Sequence, residues 1–369
     1  MRFPSRSRRG PWAVPAGIAV VVAVVSVASS AHADDHPVLA PRTAAELLTS
    51  MAEMTPPANL SGTVSETVNL GLPALPSMGD STGAGTLSLL GLVSGTHQIR
   101  VWAAGPDKQR VALLGQLAET DFVHNGADIW TYASAAHEVT HSLAPARGPA
   151  PEPLATPPTP QALAAAAVAA MDPSTAVTVD STARVAGRAA YRLVLTPRDT
   201  RTLIASVKVA VDAETSVPLQ VQVIAKGHAD AAIDVSFTQI SFAAIDASTF
   251  AFTPPAGATV TERAAGADGA TTTSPDPSGQ AAPHPTVLGS GWTSVVSLKL
   301  PTGVPSPRGT KDATSSASSL LEQMSSPVAG GRVVTTALLT VFLADDGTVY
   351  AGAVSPADLQ QVATSGRGL

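Results

Sequence analysis

The sequence predicts a mainly β (α+β) protein built on an antiparallel sheet with one wet and one dry face. In residues 206–212 and 219–224, Val207, Val209 and Val211, then Leu219, Val221 and Val223, fall at every second position. Lys208, Gln220 and Gln222 fall between them, which is the period of a half-buried strand. Polar segments of hairpin length, 212–216 and 226–228, join these runs to further strands at 191–195 and 233–240. The meander is expected to end at 250–258, where Pro254 and Pro255 lack the donors that sheet pairing needs.

The chain has 369 residues, room for one large and one small domain. Hydrophobic residues make up 44% but aromatics only 4%, so the core must be filled mostly by Val, Leu and Ala. There is no cysteine, which excludes disulfides, thiolate catalysis, cysteine-held metal and a lipid-acceptor cysteine. Arg2, Arg6, Arg8 and Arg9 precede an apolar run over 12–28 and then Ala31-His32-Ala33. That order predicts a secretory signal over residues 1–33, the alternative being an uncleaved anchor. Removing those four arginines takes the formal charge from −6 to −10, a poor balance for nucleic acid or anionic headgroups as the primary target. An exported protein of the periplasm or cell envelope is expected.

The elements follow in order. A helix is expected over 43–54, with Thr43 and Glu46 forming a capping box and Leu47, Leu48, Met51 and Met54 on one stripe. A strand at 60–68 leads into a Gly/Pro/Ser-rich interruption that contains Leu87, Leu89, Leu90, Leu92 and Val93. This segment either plugs the barrel end as core or forms a mobile apolar lid. Strands at 97–102 and 109–114 flank the turn Gly105-Pro106-Asp107, and strands at 119–124 and 128–132 flank Asn125-Gly126. Trp102 and Trp130 are read as packing residues. His137-Glu138-Val139-Thr140-His141 matches the H-E-x-x-H pattern of zinc peptidases, which needs a helix. Val139 and Thr140 are β-branched and Pro145 follows, so a strand is expected, with the two histidines about 13 Å apart. No nucleophile elbow or phosphate loop is present. No metal, no cofactor and no enzymatic activity are expected.

A proline-rich connector over 145–160 precedes an Ala-rich helix that begins at Thr159-Pro160 and stops before Pro173. Such a helix holds its neighbours weakly, which suits either a cover that opens or plain packing. A strand at 174–185 turns at Gly187 into 191–195.

The succession Tyr191-x-Leu193-x-Leu195-x-Pro197, a Val-rich strand ending in Asp212, Val217-Pro218-Leu219, Phe237-Thr238-x-Ile240 and Phe250-x-Phe252-x-Pro254-Pro255-x-Gly257-Ala258 resembles the LolA-like superfamily. Arg100-Val101-Trp102-x-x-Gly105-Pro106 and Asn125-Gly126-x-x-x-Trp130-x-Tyr132 extend the resemblance, which spans roughly residues 43–260. That superfamily includes periplasmic lipoprotein carriers and RseB/MucB-type sensors that guard an anti-sigma factor. The resemblance implies an unclosed antiparallel β half-barrel whose apolar concave face is covered by short helices.

Beyond 261 the composition shifts to Gly, Ala, Thr, Ser and Pro, which predicts a flexible linker over 264–285. A small C-terminal α/β module is expected after it. Its elements are a strand at 292–300, a helix at 319–325, strands at 333–343 and 348–354 around Asp345-Asp346-Gly347, and a helix at 356–363. The expected organisation is a signal (1–33), a half-barrel (34–262), a linker (263–290) and a C-terminal domain (291–369). The expected function is carrier-like binding of a lipid or of a lipidated protein's acyl chain, with transient membrane contact. Leu90, Leu92, Val207, Val209, Leu219, Val221, Val223 and Phe237 are the expected pocket. The alternative is a lipid-sensing regulator that binds a membrane-bound anti-sigma factor through 291–369. A zinc peptidase using His137, Glu138 and His141 comes third.

Overall fold

The computed structural model describes residues 37–71, 95–115, 118–144, 159–162, 164, 174–263, 285–299 and 324–369. Helix α1 (Ala44–Ala52) is followed by β1 (Asn59–Val68), β2 (Gly95–Ala104), β3 (Lys108–Leu114), β4 (Glu119–Asn125), β5 (Asp128–Ala133) and β6 (Glu138–Leu143). Then come β7 (Thr175–Val185), β8 (Arg188–Pro197), β9 (Ile204–Asp212), β10 (Pro218–Ala225), β11 (Ala231–Ser241) and β12 (Thr259–Arg263). The C-terminal part contains β13 (Thr286–Leu288), β14 (Val295–Lys299), β15 (Ser326–Val328), β16 (Gly331–Thr335), β17 (Thr340–Ala344), β18 (Thr348–Gly352) and helix α2 (Pro356–Ser365).

Among the described residues the strands form two sheets. One has twelve strands in the order β12-β6-β5-β4-β3-β2-β1-β11-β10-β9-β8-β7, and the other six in the order β13-β14-β18-β17-β16-β15. The larger sheet is unclosed, with β12 and β7 as its edges, and antiparallel except for the β12–β6 pair. It curls: Val185 of β7 belongs to the same packed cluster as Phe237 of β11, across β8, β9 and β10. This mainly β half-barrel with a small sheet-and-helix module is the architecture that the LolA-like resemblance implies.

Local chemistry accounts for the helices. The Thr43 hydroxyl accepts the Glu46 N–H at 3.2 Å, and the Glu46 carboxylate accepts the Thr43 N–H at 2.6 Å, so two otherwise unpaired donors are satisfied. Helix α1 stops at Ala52, two residues short of the expected Met54, ahead of Pro56 and Pro57. In α2, Ser355 caps the Asp358 N–H, Pro356 occupies the first turn, and Gly366 ends the helix in the left-handed conformation with φ 67°.

Two clusters fill the large sheet. The first gathers Leu60, Val64, Ile99, Val101, Val111, Phe122, Val235 and Phe237. The second gathers Leu193, Leu195, Val207, Val209 and Val221 beneath Leu47 of α1, Ala164 and Trp292. Gly62 is required where the sheet is tightest, because a Cβ there would meet the Gln239 carbonyl oxygen at 2.2 Å and the Phe237 ring at 3.0 Å. A third cluster, with Val295, Phe342, Val354, Leu359 and Val362, joins the small sheet to α2.

Several elements differ from the sequence expectation. Pro254 and Pro255 do not end sheet pairing: the chain turns at Gly257 (φ 83°) and adds β12 in parallel to β6 at the far edge. The prolines bar pairing only where they sit, and residues 259–263 have their donors back. Trp292 lies on a 3-10 turn, Gly291–Thr293, and the strand begins at Val295. The expected strand 333–343 is two strands, β16 and β17, broken where the Thr336 hydroxyl accepts the Leu338 and Leu339 N–H groups. Strand β13 falls inside the stretch read as linker, and β15 follows directly on the expected 319–325 helix, most of which lies outside the described residues. Contacts between the sheets include Leu203 N–H to the Ala353 carbonyl at 2.7 Å and Ala337 N–H to the Leu70 carbonyl at 2.9 Å.

Candidate functional site

One apolar face of the half-barrel is built by cross-strand register. Leu193 faces Val209, Val209 faces Val221, Val221 faces Val235, and Val235 faces Glu66 of β1. A neighbouring row runs Leu195, Val207, Val223, Ile233 and Val68. Each pair is directly opposite and therefore on one face.

The described residues of the expected pocket fall in two clusters that meet where Val221 faces Val235. Val207, Val209 and Val221 are buried together in the second cluster, with Val223 at its margin. Leu219 and Phe237 are buried in the first cluster, where β10 carries a register shift between Pro218 and Gln220. Strand alternation alone does not foresee that bulge. Leu90 and Leu92 lie outside the described residues, as does most of the Ala-rich helix. Leu47 is the buried residue of α1 and packs over the second cluster, with Ala44, Leu48 and Met51 beside it. A shallow recess of about 280 Å³ lies between Asn69, Gly71, Gly227, His228, Asp230 and Ala232, and its polar lining does not suit an acyl chain.

The H-E-x-x-H segment is a turn and a strand. His137 sits in the turn with φ 56°, its Nδ1 3.5 Å from the Tyr132 hydroxyl, and β6 begins at Glu138. His141 donates from Nδ1 to Glu262 at 2.7 Å and from Nε2 to Asp128 at 2.9 Å, and its ring stacks on Trp130 at 3.9 Å. Burial works to lower the His141 pKa, but the bonds to the two carboxylates outweigh it and leave it above the ordinary 6.5. Both ring nitrogens are thus engaged by carboxylates, and the bond to Glu262 ties β12 to the sheet edge. Trp130 packs here against Phe252, while Trp102 packs at the first cluster beneath the Arg110 guanidinium. Among the described residues no group of three or more His, Asp or Glu side chains is placed to hold a metal.

Two residues that matter at this surface were not singled out from sequence. Glu66 was legible as a break in the apolar alternation of Leu60, Val64 and Val68. Trp292 carried no local sign of its role: its indole Nε1–H donates to the Thr175 hydroxyl at 2.7 Å, at the start of edge strand β7.

No family model matches the sequence, and no curated protein matches it. Solved structures do align with it. The MucA/MucB complex of Pseudomonas aeruginosa is 15% identical, with 87% of this chain and 96% of that chain covered and a TM-score of 0.43. An uncharacterized conserved protein from Thermus thermophilus is 12% identical, covering 60% of this chain and 99% of its own, with a TM-score of 0.33. A LolA superfamily protein from Nitrosomonas europaea is 10% identical over 57% of this chain and 99% of its own, with a TM-score of 0.22.

Proposed function

We propose that this is an extracytoplasmic binding protein whose half-barrel, within residues 34–262, accepts an acyl chain of a lipid or lipidated protein. The observation that carries the reading is the continuous apolar row along one face of the half-barrel. The apolar row from Leu193 to Val235 is overlain, among the described residues, by Leu47 of the nine-residue helix α1, by Ala164 and by Trp292. Burying one leucine stabilises by about 1.5–3 kcal/mol, whereas each methylene of an entering chain contributes about 0.8 kcal/mol. A chain of about sixteen carbons offers a gross gain above about 10 kcal/mol, more than the Leu47 contact alone. Exchange with a membrane stays near balance, because the membrane interior is equally apolar, and a carrier needs that balance. The signal-like residues 1–33 support export. The expected result is acyl lipid in organic extracts of the native protein, read by mass spectrometry, together with saturable binding of a fluorescent acyl probe. A folded protein that yields no lipid and binds no probe ends this reading.

A second reading is favoured by the small sheet. Opposite the face covered by α2, Val287, Val296, Ala351, Val341 and Val334 form one cross-strand row, and Leu298, Val349 and Leu343 another. Val287 is 63% and Val296 42% exposed. An apolar face of this kind suits a protein partner, here a membrane-bound anti-sigma factor. Val296→Asp is expected to abolish cross-linking of such a factor to the full-length protein while acyl-probe binding persists. Unchanged cross-linking removes this reading.

A further inference from the structure

Glu66 is out of keeping with its surroundings. On β1 it stands between Val64 and Val68 and shares their face. Across the strands it meets Val235 of β11 and His97 of β2. Its residue is 4% exposed, and Oε2 is buried without a hydrogen-bond partner among the described residues. Burial raises its pKa above the ordinary 4.5, opposed only in part by His97. No other charged group faces it from β11: Asp234 lies on the opposite face, where Gln220 and Gln222 donate to it. A carboxyl in this setting lowers stability, and an apolar side chain would fill the space without that penalty. It holds no other element in place through Oε2. What it does offer is an acceptor aimed into an apolar face.

We propose that Glu66 is the polar anchor of a ligand site on this apolar face, and that the ligand class is an amphiphile with a protonated amine head. The ammonium donates to the Glu66 carboxylate while the alkyl chain lies along Val68, Ile233 and Val235. The inference rests on the acyl-binding reading above and narrows it. A cationic head compensates the charge of an ionised carboxylate in a dry site, whereas an anionic head repels it and a neutral head leaves it uncompensated. Binding also couples to a proton. Below the raised pKa of free Glu66 the amine must expel one proton from the carboxyl, so its affinity falls by up to about tenfold per pH unit on acidification.

The test uses the full chain and three probes of equal length, dodecylamine, dodecanol and dodecanoate, each displacing a fluorescent acyl probe between about pH 5 and 8. Dodecylamine stays protonated throughout, as a lysine side chain does. The wild type is expected to bind dodecylamine about tenfold or more tighter than dodecanol, a charge-assisted bond's worth. That preference weakens on acidification and is lost in Glu66→Gln, which retains both His97 and its affinity for dodecanol. Glu66→Leu is expected to fold at least as stably as the wild type and to show the same loss. Equal binding of the three probes, an amine preference surviving in Glu66→Gln, or a strongly destabilised Glu66→Leu overturns the anchor while leaving chain binding intact. A wild type that binds no probe overturns the acyl-binding reading and the anchor with it.

Discussion

Asp212→Ala is expected to destabilise the protein by about 3 kcal/mol, the lower end of what removing one partner of a buried ion pair costs. Asp212 is 1% exposed and ends β9, where it organises the turn into β10. Its Oδ1 accepts the N–H groups of Glu214 at 3.1 Å and Thr215 at 2.8 Å and the Thr215 hydroxyl at 2.8 Å. The Arg188 guanidinium closes on both oxygens as a fork, and its Cζ lies 5.0 Å from the centre of the Phe242 ring. The variant loses all of these and leaves Arg188 with Glu214 as its remaining acid partner, at 2.8 Å. Arg188 is one-quarter exposed, so water softens the loss and the lower end of the range applies. Urea unfolding checks it: the midpoint drops while the slope is unchanged. The pH dependence follows from the same site. Burial works to raise the Asp212 pKa, but the bonds from Arg188 and Thr215 outweigh it and leave the carboxyl below its ordinary 3.8. A depressed folded-state pKa gives stability that is complete above the unfolded value and is lost as the pH falls through the folded one. The wild type therefore loses this contribution below about pH 4, and Asp212→Ala has none to lose there. Equal midpoints for the two proteins at neutral pH exclude the proposed hub.

Trp292→Ala is expected to cost about 3–5 kcal/mol, the usual range for removing a buried tryptophan, and to loosen the small sheet from the large one. Trp292 packs in the second cluster with Leu193, Val209 and Leu47, although it is separated from them by the whole stretch 264–284. Its indole N–H donates to Thr175, so the substitution removes both the packing and a donor for a buried hydroxyl. Calorimetry is expected to show the large-sheet transition shifted down, and limited proteolysis to cut between 263 and 286 faster. Trp292→Phe restores most of the packing but not the bond, and is expected to recover most of the stability. A Trp292→Ala protein as stable as the wild type places the residue outside the core.

Much of the molecule was legible wherever a short stretch of chain decides its own conformation. The capping box at Thr43 and Glu46, the two-residue alternation of β9 and the Asn125-Gly126 turn are satisfied by neighbours in sequence. So is the strand at Val139 and Thr140, whose β-branched side chains favour a strand over the helix that a zinc site needs. Glu66 was half legible: the sequence placed a carboxylate on an apolar strand face, but only the surrounding strands determine that its Oε2 is buried without a partner. Other features depend on residues far apart in the chain. The grouping of Leu219 and Phe237 apart from Val207, Val209 and Val221, and the bulge of β10 beside Leu219, arise only in the assembled sheet. The return of the chain to β6 as β12 and the lodging of Trp292 against Thr175 close over 121 and 117 residues. Contacts at such separations carry no local signature, because what selects them is the shape and burial of the assembled sheet rather than the conformational preference of the residues that make them.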